Sequence, residues 1–116
     1  MLNWVKLPHM AETIPIFPLN TVLFPGAPMP LRIFEQRYRE MLKFCMDTDR
    51  RFGVNLIQSG VEVGGSAEPH MVGTIADITS VRPEENGAIP ISTRGGRRYR
   101  ITNLDSSGSY LVGEVE

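Results

Sequence analysis

One thiol, two imidazoles and a run of arginines are the groups in this 116-residue chain with the most obvious chemistry to offer. A reactive thiolate needs an exposed setting beside a cation or histidine. Cys45 instead shares a helical apolar stripe with Phe34, Tyr38, Met41 and Leu42, which makes it a small core residue. His9 and His70 lie far apart in loops. With a single cysteine beside them, a structural zinc site is short of ligands unless acids join, so neither a metal nor a cofactor is expected. Glu84-Glu85 sits in a polar turn, and no carboxylate pair stands in a recognisable acid–base context. No catalytic residue is expected.

Two segments are better suited to binding than to catalysis. The first runs from Leu23 to Pro30, with three prolines among eight residues interleaved with Leu, Phe and Met. Each proline lacks an N–H and cannot complete a regular ladder. Leu23, Phe24, Pro25, Pro28 and Met29 are therefore candidates for a shallow apolar surface that takes extended, unfolded peptide, a task suited to adaptable methionine and aromatic groups. The alternative is that Leu23 and Phe24 are core and the prolines only fix a corner. The second segment holds Arg94, Arg97, Arg98 and Arg100, four of the twelve basic residues, around Gly95-Gly96 and Tyr99. It is a candidate phosphate or RNA contact with Tyr99 as a stacking platform. Its alternative is a solvated strand face, with Arg98 and Arg100 outward and Tyr99 and Ile101 inward. Twelve basic against thirteen acidic residues leave a net charge of −1. That balance argues against nucleic acid as the main partner.

The elements that must hold these segments follow from composition and period. Hydrophobic residues at 41% and charged residues at 22% are globular values, and 116 residues make one domain. Nine prolines and eleven glycines indicate many turns and short strands. Strands are predicted at Ile14–Phe17, with Pro15 suiting an edge strand or a strand's first residues, and at Met29–Ile33. The apolar stripe predicts a helix over about 34–46. Phe52, Val54 and Leu56 then alternate with Gly53, Asn55 and Ile57. Residues 58–70 read as a long hairpin loop, and Val72–Val81 as a central strand covered on both faces. Asn86-Gly87 marks a tight hairpin. Strands at Ile89–Thr93, Arg97–Leu104 and Tyr110–Val115 complete a mainly β fold, a β-rich α+β arrangement of about six antiparallel strands. These should curl toward a partial barrel with the helix plugging an open side.

No stretch reaches the 18 or more apolar residues of a membrane span, and Met1 to Glu12 has no secretory-signal pattern. A single cysteine fits a reducing cytoplasm. Residues 1–13 show no period and read as a loose lead-in whose Trp4 and Leu7 can pack onto the body.

The run Ile14-Pro-Ile-Phe-Pro-Leu-Asn-Thr-Val-Leu-Phe-Pro-Gly26, followed by Pro30-Leu-Arg-Ile-Phe-Glu-Gln-Arg-Tyr-Arg39, resembles the N-terminal (LON, substrate-binding) domain of the ATP-dependent protease Lon and of bacterial proteins that carry this domain alone. Val72-Gly-Thr-Ile-Ala-Asp-Ile78 and Gly96-Arg-Arg-Tyr-Arg-Ile101 match its later strands in order. The likeness covers residues 14–116 and implies a PUA-like pseudo-barrel. Pro90 departs from the family's uninterrupted strand and puts the pairing of Ile89–Thr93 in question. The helical half of the family is absent from these residues, which implies a truncated piece or an abbreviated protein. Lon's ATPase needs a Gly-rich loop ending in Gly-Lys-Ser/Thr and its peptidase a Ser-Lys pair. Lys6 and Lys43, the only lysines, stand in neither context. The resemblance thus implies a non-catalytic module that binds unfolded or damaged polypeptide. Its partners would be such segments and Lon-type subunits or other proteins, with no membrane involved.

Overall fold

A computed structural model describes residues 12–116. The positions of Trp4, Leu7 and His9 lie outside these, as does most of the expected lead-in. Eight elements follow in chain order: β1 (Glu12–Leu19), β2 (Pro28–Ile33), α1 (Gln36–Asp47), β3 (Arg51–Gly60), β4 (Ala67–Pro69), β5 (Val72–Val81), β6 (Ile89–Asp105) and β7 (Leu111–Val115). Among the described residues the fold is mainly β, with one helix and seven strands, as expected; one pairing, β1 with β3, is parallel.

Five strands close on themselves in the order β1-β7-β6-β5-β3, and the parallel pairing of Ile16–Leu19 with Gly53–Leu56 completes the ring. Parallel neighbours require a crossover between them. Here β2 and α1 supply it, with β2 pairing outward onto β6. The helix therefore covers the outside of the β1–β3 seam and does not plug an open side. β1 is not an edge either. Pro15 is tolerated because the β3 pairing begins only at Ile16, while β7 runs along the other side from Glu12 opposite Val115.

Alternation along the strands divides the core in two. Ile14, Ile16, Ile75, Tyr99, Ile101 and Val115 fill the barrel interior. Phe17, Leu19, Phe52 and Val54 point outward and meet Tyr38, Met41, Leu42 and Cys45 from the helix. Phe17 stacks on Tyr38 with ring centroids 4.1 Å apart, a geometry that adds to simple burial.

Several boundaries differ from expectation for identifiable reasons. β1 starts two residues earlier, at Glu12. The helix starts at Gln36, since Glu35 is its extended N-cap (φ −79°, ψ 143°). Phe34 consequently falls outside the apolar stripe and is 51% exposed. The expected loop at 58–70 is shorter: β3 runs to Gly60 and β4 pairs back on it. β5 is covered on both faces only over Gly73–Ala76; beyond that it is largely exposed. Gly95-Gly96 does not break β6, which runs unbroken for 17 residues. Pro90 pairs opposite Arg32, and its carbonyl accepts the Arg82 N–H at 2.9 Å. Its missing donor therefore faces the β5 side just past that strand's last residue and disturbs no ladder. Asn86 and Gly87 both have positive φ, 54° and 80°, as a two-residue hairpin turn of this kind requires.

Candidate functional site

The proline-rich segment forms a turn clamped to β6. Gly26 takes φ +81°, and the Ala27 N–H donates to the Phe24 carbonyl at 3.0 Å. Gly26 N–H donates to Gly95 O and Gly95 N–H to Ala27 O, both at 2.8 Å. Arg94 Nη1 donates to Gly26 O at 2.7 Å. Gly95 permits this closeness, because any Cβ there would collide with the Phe24 carbonyl. Leu23 is driven into the core and is 2% exposed, whereas the next residue, Phe24, is 61% exposed. Pro25 and Pro28 are exposed and Met29 is half-buried against the outer core. The five expected contact residues are thus held in one turn, but only Phe24, Pro25 and Pro28 are freely presented.

β2, which follows, has its second edge unpaired among the described residues. Met29, Leu31 and Ile33 direct their backbone groups to β6, since Gly95 and Ala27 bond in that phase. Pro28, Pro30 and Arg32 face outward, so two of the three outward positions have no N–H. An incoming strand would find Arg32 as the one outward donor, which disfavours β-augmentation along this edge.

Beside the turn lies a concavity of about 250 Å3. Val22 and Leu23 form one wall, and outward-facing Val54, Leu56, Val72 and Thr74 line it further, with His70 and Arg98 supplying the ionisable groups. Val54, Thr74 and Arg98 lie in register across three adjacent strands. The two candidate segments therefore meet here: Leu23 from the turn and Arg98 from the arginine strand line one space. Arg94 is engaged with the turn. Arg97 pairs with Glu12, whose carboxylate also holds Arg51. Arg98 and Arg100 are exposed and make no ion pair among the described residues. Tyr99 points into the barrel, so it is no stacking platform for a base; it is 3% exposed.

A second groove, of about 280 Å3, escaped the sequence reading. Its apolar lining includes Leu31, Phe34, Tyr38 and Val63. The 61–66 loop is tied beside it by Asn20 N–H to Glu62 at 2.6 Å and Gly64 N–H to Glu35 at 3.3 Å. Phe34 was its one visible signal, and the helical stripe absorbed it.

Residues 13–116 match the family described as the ATP-dependent protease La (LON) substrate-binding domain. The chain belongs to this family. The Lon protease of Porphyromonas gingivalis is 27% identical over 114 residues, 97% of this chain and 14% of that protein. The Lon protease of Parabacteroides distasonis is 30% identical over 108 residues, 91% of this chain and 13% of that protein. The chain thus spans about one-seventh of the length of these relatives. The crystal structure of a Lon N-terminal domain protein from Xanthomonas campestris superposes with a TM-score of 0.77 at 36% identity, over 90% of this chain and 59% of that one.

The matched family is the substrate-binding part of Lon, not its ATPase or peptidase. Within this LON domain Cys45 is fully buried, its thiol donates to the Arg51 carbonyl at 3.2 Å, and burial pushes its pKa up to about 12. A thiol so placed is not a nucleophile at neutral pH. Among the described residues no three His, Cys, Asp or Glu side chains come together to hold a metal ion. No described helix is long and apolar enough to cross a membrane. What this face offers a ligand is shape, apolar area and two guanidinium groups that form no ion pair among the described residues.

Proposed function

We propose that this LON domain is a non-catalytic module that binds unfolded or damaged polypeptide through the Phe24–Met29 turn and the concavity beside it, in the cytoplasm and alongside Lon-type subunits. One observation carries the reading: Phe24, a large aromatic, is 61% exposed on a turn fixed by backbone bonds on both sides. An exposed aromatic held rigidly loses little conformational entropy on contact, which is how small apolar surfaces gain affinity. Because Pro28 and Pro30 leave the β2 edge only the Arg32 donor, the client is held mainly by side-chain burial and little by added strand pairing. A surface of this size supports a Kd on the order of micromolar or weaker. Several copies on one particle would convert that into retention.

The test is chemical-shift mapping with a permanently unfolded, reduced client protein. Shifts should concentrate at Val22, Phe24 and Met29, and Phe24→Ser should weaken binding by about 5-fold or more. Saturating client without perturbation at this turn removes the proposal. The RNA or anion reading of the arginine strand is weaker. Arg94 and Arg97 are already engaged, Tyr99 is internal, and the chain's net charge is −1.

A further inference from the structure

The concavity beside the turn is not uniformly apolar, and its asymmetry says which part of a polypeptide fits. Val22, Leu23, Val54, Leu56 and Val72 supply the apolar walls, while Arg98 and His70 supply cationic or hydrogen-bonding groups. Arg98 stands opposite the buried Thr74, and Arg100 opposite Val72, so two guanidinium groups follow one another along the β6 side. Neither forms an ion pair among the described residues, although their neighbour Arg97 does. At about 250 Å3 the space lies below the usual range for drug-sized ligands. It suits one large side chain and the group attached to it, not an extended run. An internal apolar residue carries only neutral amides on either side and leaves the cations unanswered. A chain-terminal apolar residue brings its own carboxylate, and a guanidinium binds a carboxylate in a two-pronged, charge-assisted manner.

We propose that this concavity captures the C-terminus of a client chain, seating an apolar last side chain against Val22, Val54, Leu56 and Val72 and its α-carboxylate on Arg98 with His70 beside it. The inference rests on the polypeptide-binding reading and adds to it a preference for free chain ends. Capture of a terminal carboxylate is an established mode of peptide recognition in other settings. Here the charge complementarity of one row of residues argues for it.

Three N-terminally dye-labelled, unstructured ten-residue peptides distinguish the outcomes by fluorescence anisotropy. The first ends in leucine with a free carboxylate. The second is its C-terminal amide. The third is an amide with an internal Asp-Leu. The free acid should bind about 5- to 10-fold more tightly than either amide, and raised salt should narrow the gap. Arg98→Gln should erase the acid–amide difference, with a preserved proton–nitrogen NMR spectrum showing that the variant is folded. Phe24→Ser should weaken acid and amide alike. Equal binding of acid and amide overturns end capture and leaves polypeptide binding standing, as does an internal Asp-Leu peptide that matches the free acid. An acid preference that survives Arg98→Gln overturns the assignment to this site. Binding of none of the three overturns both readings.

Discussion

At the scale of single residues, the least expected feature is a polar pair inside the barrel. Tyr99 donates its phenolic hydrogen to Asn55 Oδ1, and Asn55 Nδ2 donates to the His70 carbonyl at 2.7 Å. Gly53 and Gly73 leave the room that the phenol occupies; a Cβ at Gly73 would sit 2.5 Å from the Tyr99 oxygen. Tyr99→Phe strands a buried amide oxygen and should cost about 1–3 kcal/mol in urea unfolding. Burial also raises the Tyr99 pKa well above its usual value. The neutral phenol is the native form, so its contribution is complete below the unfolded-state pKa of about 10. That contribution is lost as pH rises past that value toward the folded one. The stability of Tyr99→Phe should therefore fall less steeply in alkali than that of the parent chain. Cys45 obeys the same sign, and its thiol should resist a disulfide reagent at pH 8 until the protein is unfolded. The inward placement of Tyr99 and Cys45 was legible from alternation and helical period. The role of Asn55 was not: Gly53 and Asn55 lie on what reads as the weaker, solvent-like face of a strand. That face is the barrel interior because a tyrosine 44 positions away fills it.

Among the elements, α1 is the one most plainly written in the sequence, since its buried residues Tyr38, Met41, Leu42 and Cys45 keep one period. Its start was misread by two residues because an apolar side chain ahead of an extended N-cap is indistinguishable by spacing from the stripe that follows. Met41 is fully buried, and Met41→Ala should destabilise by about 2–5 kcal/mol, measurable by thermal unfolding. β6 was read as two strands because a glycine pair usually marks a break. In this fold the glycine marks a close approach, and that is visible only when the Phe24 carbonyl has been placed against it. Gly95→Ala should therefore disturb the turn selectively, shifting the resonances of Phe24 to Ala27 far more than those of the helix. The 82–87 hairpin is attached to the helix by Arg39, whose guanidinium meets Glu84 at 2.9 Å and holds its carboxyl below the usual range. That attachment is present above the unfolded carboxylate pKa and weakens as pH falls through the folded value. A side-chain NMR titration of Glu84 should show the lowered midpoint, and Arg39→Gln should abolish it.

For the whole molecule, the β-rich character and the antiparallel majority follow from turn spacing, but the closure of the ring does not. The β1–β3 seam joins strands separated by β2 and the helix, and nothing local to either strand specifies a parallel partner. The seam's outer face is nevertheless where most of the large buried side chains gather. Amides of Ile16, Phe17, Leu19 and Gly53–Leu56 engaged in the seam should accordingly be among the slowest to exchange with solvent, and those of residues 61–66 among the fastest. The apolar turn was recognisable from its prolines, while the concavity beside it combines residues from 22 to 98 and could be seen only after folding. Glu12 lies directly opposite Val115, a separation of about 5 Å across an antiparallel pair. A path of more than a hundred residues thus returns almost to its point of departure. The two ends of the β1–β7 pair are therefore neighbours, and a domain joined to others through both would add almost nothing to the distance between them.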